Sequence, residues 1–426
     1  MSASLSLMGQ AVLGVGVFIG LPILFSENRR LIKKRLIAIG LSVQVALAIV
    51  LTQFALIQQF FHTLGRGIES IKDATLQGTS FVFGYVGGGA TPFNVPNDLA
   101  AHTFVFAFQA LPMIMVVSAL SMLLFYWGVI PRVVQVLSKA LQRTLHIGGS
   151  MGVVGAAKIF LGQIESSLLI RPYLKNFSRA EIFMVMCCGM ATTSATVMAL
   201  YGSILQGRVD NPIAHILIAS IISVPGAITL ARLLVPHEGE PTPGHLVTPY
   251  KFNNMMDAVA KGTADGLNIF LNIIAMLIVM AALVAMVNNL LGLIPLGGAP
   301  LTLQTILGLL MAPFAWLMGI PWEEALVAGK ILGTKTALNE VFAFIELAGS
   351  PLSPRSALIM TYAVCGFANF SCIGITIAGL GAMAPERRDE IVSLGLRSML
   401  IGTLTTCLSG TLMGMMAHFN PSLMGH

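Results

Sequence analysis

Twice along this sequence, ionisable side chains sit inside stretches otherwise rich in apolar and small residues. The first is Lys158-Ile-Phe-Leu-Gly-Gln-Ile-Glu165, followed by Arg171-Pro172; the second is Lys335-Thr-Ala-Leu-Asn-Glu340. Only 10% of the 426 residues are charged and mean hydropathy is +0.84, whereas an ordinary soluble domain carries about 25% charged residues. The chain is therefore expected to be an all-α integral membrane protein, with room for roughly eight to ten spans of ~20 residues. Charges within a bilayer are expensive and mark a pathway or a site by default. A simple span from Gly152 to Tyr173 would bury Lys158, Gln163 and Glu165 for nothing. Two short helices meeting at a tip, a re-entrant hairpin, would set those groups against protein or water.

Eight spans are predicted around two such hairpins. Met8 to Phe25 is the first, and without a basic run or cleavage site before it, it reads as a retained helix. The densest basic run follows: Arg29, Arg30, Lys33, Lys34 and Arg35. That run belongs on the cytoplasmic side, which puts both termini outside, in the periplasm. The net charge of +6 is then a matter of orientation, and nucleic acid is not an expected partner. Leu36 to Phe60 is span two, Thr63 to Ser80 an amphipathic interfacial helix, and Gly87 to Asp98 a turn-rich loop. His102 to Trp127 is span three, kinked at Pro112, and Pro131 to His146 is amphipathic. After hairpin one, Glu181 to Leu205 is span four. Its Ala191-Thr-Thr-Ser-Ala-Thr196 segment reads equally as a tight helix interface or as an unwound stretch offering carbonyls to an ion.

Ile213 to Leu234 is span five, and the Pro- and Gly-rich residues 237–249 form the one clear linker. Ile269 to Leu293 is span six, and Leu303 to Met318 is a short helix expected at the surface. Hairpin two starts at Pro321 and carries Lys330, Lys335, Asn339, Glu340 and Glu346. Span seven, Ser356 to Met383, is interrupted at Gly366–Gly374; span eight is Ile391 to Met416. Hairpin, broken helix and span thus occur twice, at 150–235 and 322–418, and the charge bias makes them enter from opposite sides. Such an inverted repeat places a binding site at the repeat interface near the midplane. The implied division is scaffold 1–128, first repeat 129–236, linker with scaffold span and surface helix 237–321, and second repeat 322–426. Cys187, Cys188, Cys365, Cys372 and Cys407 lack paired metal spacing and read as packing residues. No metal or organic cofactor is expected.

Several motifs taken together carry a resemblance over nearly the whole chain. They are Gly162-Gln163-x-Glu165 with Arg171-Pro172-Tyr173, the run from Pro313 to Trp322, Asn339-Glu340, and Cys365-Gly-Phe-Ala-Asn-Phe-Ser371, with Phe81-Val-Phe-Gly84 and Leu111-Pro112. In these the chain resembles the concentrative nucleoside transporters, in their bacterial form. The resemblance implies a homotrimeric importer in the bacterial inner membrane, driven by a sodium or proton gradient, and not an enzyme. It also implies that Gln163 reads the nucleobase, with residue 164, Glu165 and Val197 lining the same site. Glu340 would accept from ribose hydroxyls, Phe367 would pack on the ligand, and Asn369 would bond the sugar. An amide both donates and accepts, as a base edge needs, while a carboxylate only accepts, as a diol needs. Read without the family, the lesser alternative for Glu165 and Glu340 is a structural ion pair holding a hairpin tip.

Three departures from the family pattern matter. A Ser or Thr usual between the glutamine and glutamate is Ile164, which loses a hydroxyl near the base. The second serine after Asn369 is replaced by Cys372, a weak donor, and Val341-Phe-Ala-Phe344 lacks a usual phenol hydroxyl. Most sharply, the asparagine that ligates sodium in sodium-coupled members, five residues before the glutamine, is Lys158. An ammonium supplies no oxygen to sodium. The other positions matching the cation site are Leu161, by its carbonyl, Thr192 and Thr193. Lys158 either fills this place as a tethered cation or snorkels to the surface; in both cases coupling to protons, or none, is expected. Sodium coupling and uncoupled facilitation are the alternatives. A membrane-embedded nucleoside hydrolase is the competing class, but no nucleophile motif or metal cluster accompanies the carboxylates.

Overall fold

The computed structural model describes residues 2–94, 103–163, 165–237, 239–244, 246, 250–293, 295–296, 299–420 and 423. Nearly all are helical, apart from a two-residue antiparallel pairing of Pro295–Leu296 with Ala299–Pro300. Ile164 and parts of the expected loop at 87–98 and linker at 237–249 fall outside the described residues.

The first third holds α1 (Ser2–Leu24), α2 (Lys34–Gln53), α3 (Ala55–Phe83), α4 (Phe106–Gln109) and α5 (Met113–Tyr126). The predicted span Leu36–Phe60 ends early: Phe54 is extended, and the amphipathic helix starts there instead of at Thr63. Pro112 breaks its span where a kink was expected, because it stands at the N-terminal cap of α5, the position proline tolerates.

Next come α6 (Val129–Leu145), α7 (Gly149–Ala157), α8 (Glu165–Leu168), α9 (Arg179–Ala191), α10 (Ala195–Ile204) and α11 (Pro212–Leu234). Hairpin one is α7 and α8 with the tip between them. Span four is broken, as its hydroxyl-rich centre allows: Thr192 and Ser194 have extended backbones between α9 and α10. Of the two readings of this segment, the unwound one is adopted. By contrast, α11 runs unbroken through Pro225.

The second set comprises α12 (Met255–Leu291), α13 (Leu303–Leu317), α14 (Trp322–Ala337), α15 (Glu340–Ala348), α16 (Pro354–Val364), α17 (Phe370–Met383) and α18 (Arg388–Phe419). Helix α12 begins 14 residues before the expected apolar start, where Asn254 caps it by accepting from Asp257 N. Helix α13 is not simply a surface helix. Its Gly308 and Ala312 press on Gly329 of α14, and Gly333 meets Leu307, while Leu309 and Leu310 on its other face stay exposed. Small residues at four-residue spacing let two helix backbones approach this closely.

Seven helical runs among the described residues are long and apolar enough to cross a bilayer. Of the eight expected spans, span seven is missing from that set because it is cut in two: α16 has 11 residues and α17 has 14. The two sets repeat one plan. A leading helix packs on a hairpin arm (α6 on α7, α13 on α14), then come the second arm, a broken helix and a span. The spans α11 and α18 pack on each other, and α10 of one set touches α15 of the other. The result is an inverted-repeat transporter fold whose two breaks lie back to back. A Cβ added to Gly366 would stand 2.9 Å from Met190 O and 2.8 Å from Thr406 Cγ2, so only glycine lets the second break reach the first.

Candidate functional site

Hairpin two supplies the best-defined group. Asn339 stands at the N-terminal cap of α15 and accepts from Val341 N and Phe342 N, which leaves Glu340 as the first helical residue. A carboxylate is favoured there by the positive end of the helix. Glu340 is buried, and both its oxygens are engaged: Tyr201 Oη donates to Oε1 at 2.8 Å, and Asn369 Nδ2 donates to Oε2 at 2.9 Å. No cation lies within salt-bridge distance of it among the described residues. The ion-pair reading of Glu340 is thus replaced by a carboxylate held between a phenol and an amide.

Asn369 is itself fixed by the break in span seven. It stands at the N-terminal cap of α17, where its Oδ1 accepts from Cys372 N at 2.8 Å. One turn later, Thr376 Oγ1 donates to Cys372 O at 2.8 Å and accepts from Gln163 Nε2. A chain of contacts therefore runs from hairpin one through α17 to hairpin two and on to α10. Gln163 Nε2 also lies 3.8 Å from Met190 Sδ. Met190 belongs to a small apolar cluster with Ala368, Cys372 and Met399, and the half-buried Phe367 packs on it. Val197 lies one turn before Tyr201 on α10, so the two share the helix face toward Glu340.

The tip of hairpin one is organised by Lys158. Its side chain is 2% exposed and does not snorkel. Nζ donates to Gln163 O at 2.6 Å, closing the tip on itself. Opposite stands Gly189 of α9, where an added Cβ would lie 2.9 Å from Lys158 Nζ and 3.0 Å from Gln163 Cγ. Leu161 is buried within the tip. The two threonines have partners of their own: Thr192 Oγ1 donates to Cys188 O, and Thr193 bonds Ser220 and approaches Cys365 Sγ. Glu165 is described by its backbone alone, as the first residue of α8.

Three family models match in sequence. Residues 13–86 match "Na+ dependent nucleoside transporter N-terminus", 107–208 match "Nucleoside recognition", and 215–414 match "Na+ dependent nucleoside transporter C-terminus". The "Nucleoside permease NupC" of Helicobacter pylori is 35% identical over 420 residues, covering 96% of this chain and 98% of that protein. The chain belongs to the concentrative nucleoside transporter family. Pig "Sodium/nucleoside cotransporter 1" is 31% identical over 95% of this chain and 63% of its own length. A structure titled "CNTnw in an inward-facing substrate-bound state" superposes with a TM-score of 0.86 at 31% identity, covering 97% of this chain and 99% of that one.

Beside these relatives, three residues of this transporter stand out that the motifs did not bring forward, and Lys335, which the sequence did mark, finds its partners. Tyr201 and Thr376 contact Glu340 and Gln163 directly. Met190 links Gln163 to the Phe367 cluster. Lys335 is 1% exposed, and its Nζ donates to Ala363 O at 2.8 Å and Thr406 Oγ1 at 3.2 Å. A lone phenol in an apolar helix seeks a partner when buried, and that was the one sequence signal for Tyr201.

Proposed function

We propose that this protein is a secondary active transporter that imports nucleosides across a bacterial inner membrane, coupled to protons and not to sodium. The observation that carries the coupling part is the buried Lys158 ammonium, 2.6 Å from Gln163 O. It stands where sodium-coupled members are expected to hold the ligand asparagine, it offers no oxygen, and it occupies a tip carbonyl. A sodium ion beside it would meet a like charge.

Substrate recognition, in this reading, falls to Gln163 for the base and to Glu340 with Asn369 for the ribose diol. Ile164, Glu165, Val197, Phe367 and Cys372 complete the lining, and Leu161, Thr192 and Thr193 flank the cation position. Gln163 and Glu340 come from opposite repeats and are joined through Thr376, Cys372 and Asn369, which supports a site at the repeat interface. Tyr201 and Asn369 are donors already aimed at the Glu340 oxygens, so a ribose diol would join or exchange with them at little cost in reorganisation. The apolar outer face of α12, with Leu271, Ile278, Leu283 and Leu290 exposed, is suited to lipid and to the other protomers of a trimer.

The test is uptake into proteoliposomes. Labelled uridine should enter chemically unchanged, and other nucleosides should compete with it. Uptake should persist when choline replaces sodium at fixed pH, and should rise with an inward proton gradient. A steep sodium requirement would refute the coupling assignment, and failure of every nucleoside to compete would refute the substrate class.

A further inference from the structure

A cavity that does not include Glu340 lies at the end of the molecule that the basic run marks as cytoplasmic. It has a volume of 710 Å³, is open on one side, and is lined by the approach to α2, the turn between α6 and α7, the end of α11 and the linker after it. Lys33 faces it from the cap of α2 and Arg35 from its first turn, His146 from the turn, Arg232 from α11, and His237 and Glu240 from the linker. Three permanent cations thus share the cavity with one described carboxylate.

Arg232 is the telling member. It is 8% exposed. Its Nη1 and Nη2 donate to Leu145 O at 2.7 Å and His146 O at 2.9 Å, and its Nε has no partner among the described residues. No described carboxylate lies within salt-bridge distance of it, nor of Lys33 or Arg35. Glu181, the acid whose field reaches it, is engaged with Ser178 and Thr242. A buried guanidinium bonded to carbonyls has its hydrogen bonds met in part, but its charge is offset only by the field of Glu181 and not by an ion pair, and buried charges are normally paired. Burial pushes the His237 imidazole below its ordinary range; the Glu181 carboxylate opposes this shift, and the charges of Arg232 and Lys33 reinforce it. An anion between these groups would relieve all of them together.

We infer that this cavity binds the phosphate of an anionic lipid headgroup. Arginine and lysine recognise phosphate by charge-assisted hydrogen bonds, and basic pockets between helices on the cytoplasmic side bind such headgroups. A lipid fits better than a soluble phosphate because the wall continues from Lys33 and Arg35 onto Leu36 and Ile37 of a membrane-spanning helix. One acyl chain would follow that apolar wall while the phosphate sits among the cations. The bound lipid would bridge α2 to α6, α7 and α11, and so tie the N-terminal helices to the first repeat.

The experiment is native mass spectrometry of the delipidated full chain in neutral detergent, titrated with phosphatidylglycerol, phosphatidylcholine or inorganic phosphate. The expected result is selective retention of phosphatidylglycerol. The double variant K33Q/R35Q should bind it about thirtyfold more weakly, at roughly 1 kcal/mol per charge near the membrane surface. The variant R132Q/K139Q, which removes two exposed cations of α6 outside the cavity, should bind as the wild type does. Equal retention by K33Q/R35Q and wild type overturns the site, as does equal loss in both double variants. Equal retention of phosphatidylcholine, or full displacement by millimolar inorganic phosphate, overturns the lipid as its occupant.

Discussion

Replacing Lys158 separates two consequences of the buried ammonium, its charge and its want of an oxygen. Lys158→Met removes the charge and supplies no ligand, whereas Lys158→Asn removes the charge and offers an amide oxygen. At a separation of about 4 Å and an effective dielectric constant of about 20, two unit charges repel by about 4 kcal/mol. That is nearly a thousandfold in sodium affinity, so the wild-type protein should show none in the physiological range. The cost to the hairpin tip is smaller. Gln163 O loses its 2.6 Å bond to Nζ but keeps Ser167 Oγ at 3.2 Å and Ser166 Oγ at 3.4 Å. A lost hydrogen bond to a charged group costs about 1.5–3 kcal/mol, and removing a buried ammonium offsets part of that. Both variants should therefore fold. In proteoliposomes at fixed pH, wild-type and Lys158→Met uptake should be flat with sodium, and Lys158→Asn uptake should rise with it. Sodium-dependent uptake by the wild type, or by Lys158→Met and Lys158→Asn alike, would refute the reasoning.

Further outcomes follow from the same contacts. Tyr201→Phe keeps the ring stacked on Phe344 (centroids 4.7 Å apart) but removes the donor to Glu340. Nucleoside affinity of the purified protein should fall by roughly tenfold or more, the equivalent of about 1.5 kcal/mol; an unchanged dissociation constant would mean that Asn369 alone orients the carboxylate. Glu340→Gln places an amide donor against Tyr201 Oη or Asn369 Nδ2, and uridine uptake should drop about a hundredfold at normal expression. Gly366→Ala forces a methyl onto Met190 O and Thr406, which should cost about 1–3 kcal/mol and lower the melting temperature in detergent. The hydrogen bond from Arg179 holds the Glu27 carboxyl below the usual carboxylate range, with Arg397 adding to the effect. Its contribution to stability is present above the ordinary value of 4.5 and is lost as pH falls through the depressed one. The pair is partly exposed, so the effect is at most about 1 kcal/mol. Glu27→Gln should flatten that acid limb of thermal stability.

The hairpins were legible in the sequence because ionisable residues in apolar surroundings have few physical explanations. The second break was legible because Gly366 and Asn369 interrupt an otherwise regular span. Where the chain leaves α2 for α3, the signal is absent: the turn is made at Phe54, with no glycine, proline or side-chain cap to announce it. For α13 a signal existed and needed a partner to be read. Gly308-x-x-x-Ala312 and Gly329-x-x-x-Gly333 are matching small-residue seams, but a seam shows its mate only once both helices are placed. The contacts of Tyr201 with Glu340 and of Gln163 with Thr376 join residues 139 and 213 positions apart. No local pattern encodes such a pairing, and one turn of misregister on α10 or α17 would point either hydroxyl elsewhere.

Each hairpin holds a buried lysine near its tip, and the two have different tasks. Lys158 stands five residues before Gln163, and Lys335 five residues before Glu340, but Lys158 caps the end of α7 whereas Lys335 lies within the last turn of α14. Broken helices free backbone carbonyls, and within a bilayer these must be satisfied by protein. Lys158 turns inward and satisfies a carbonyl of its own tip. Lys335 reaches outward to Ala363 in the last turn of α16, and to Thr406 of α18, and so fastens hairpin two to the second break. Lys335→Met therefore leaves the Ala363 carbonyl without this donor and loosens Asn369, six residues on. The variant should then lose nucleoside affinity even though Lys335 bonds neither Glu340 nor Asn369, while Lys335→Arg, which keeps a donor of similar reach, should recover part of it. Unchanged affinity in Lys335→Met, with the melting temperature alone lowered, would assign this lysine to stability and leave Lys158 as the one ammonium of the pair that bears on transport.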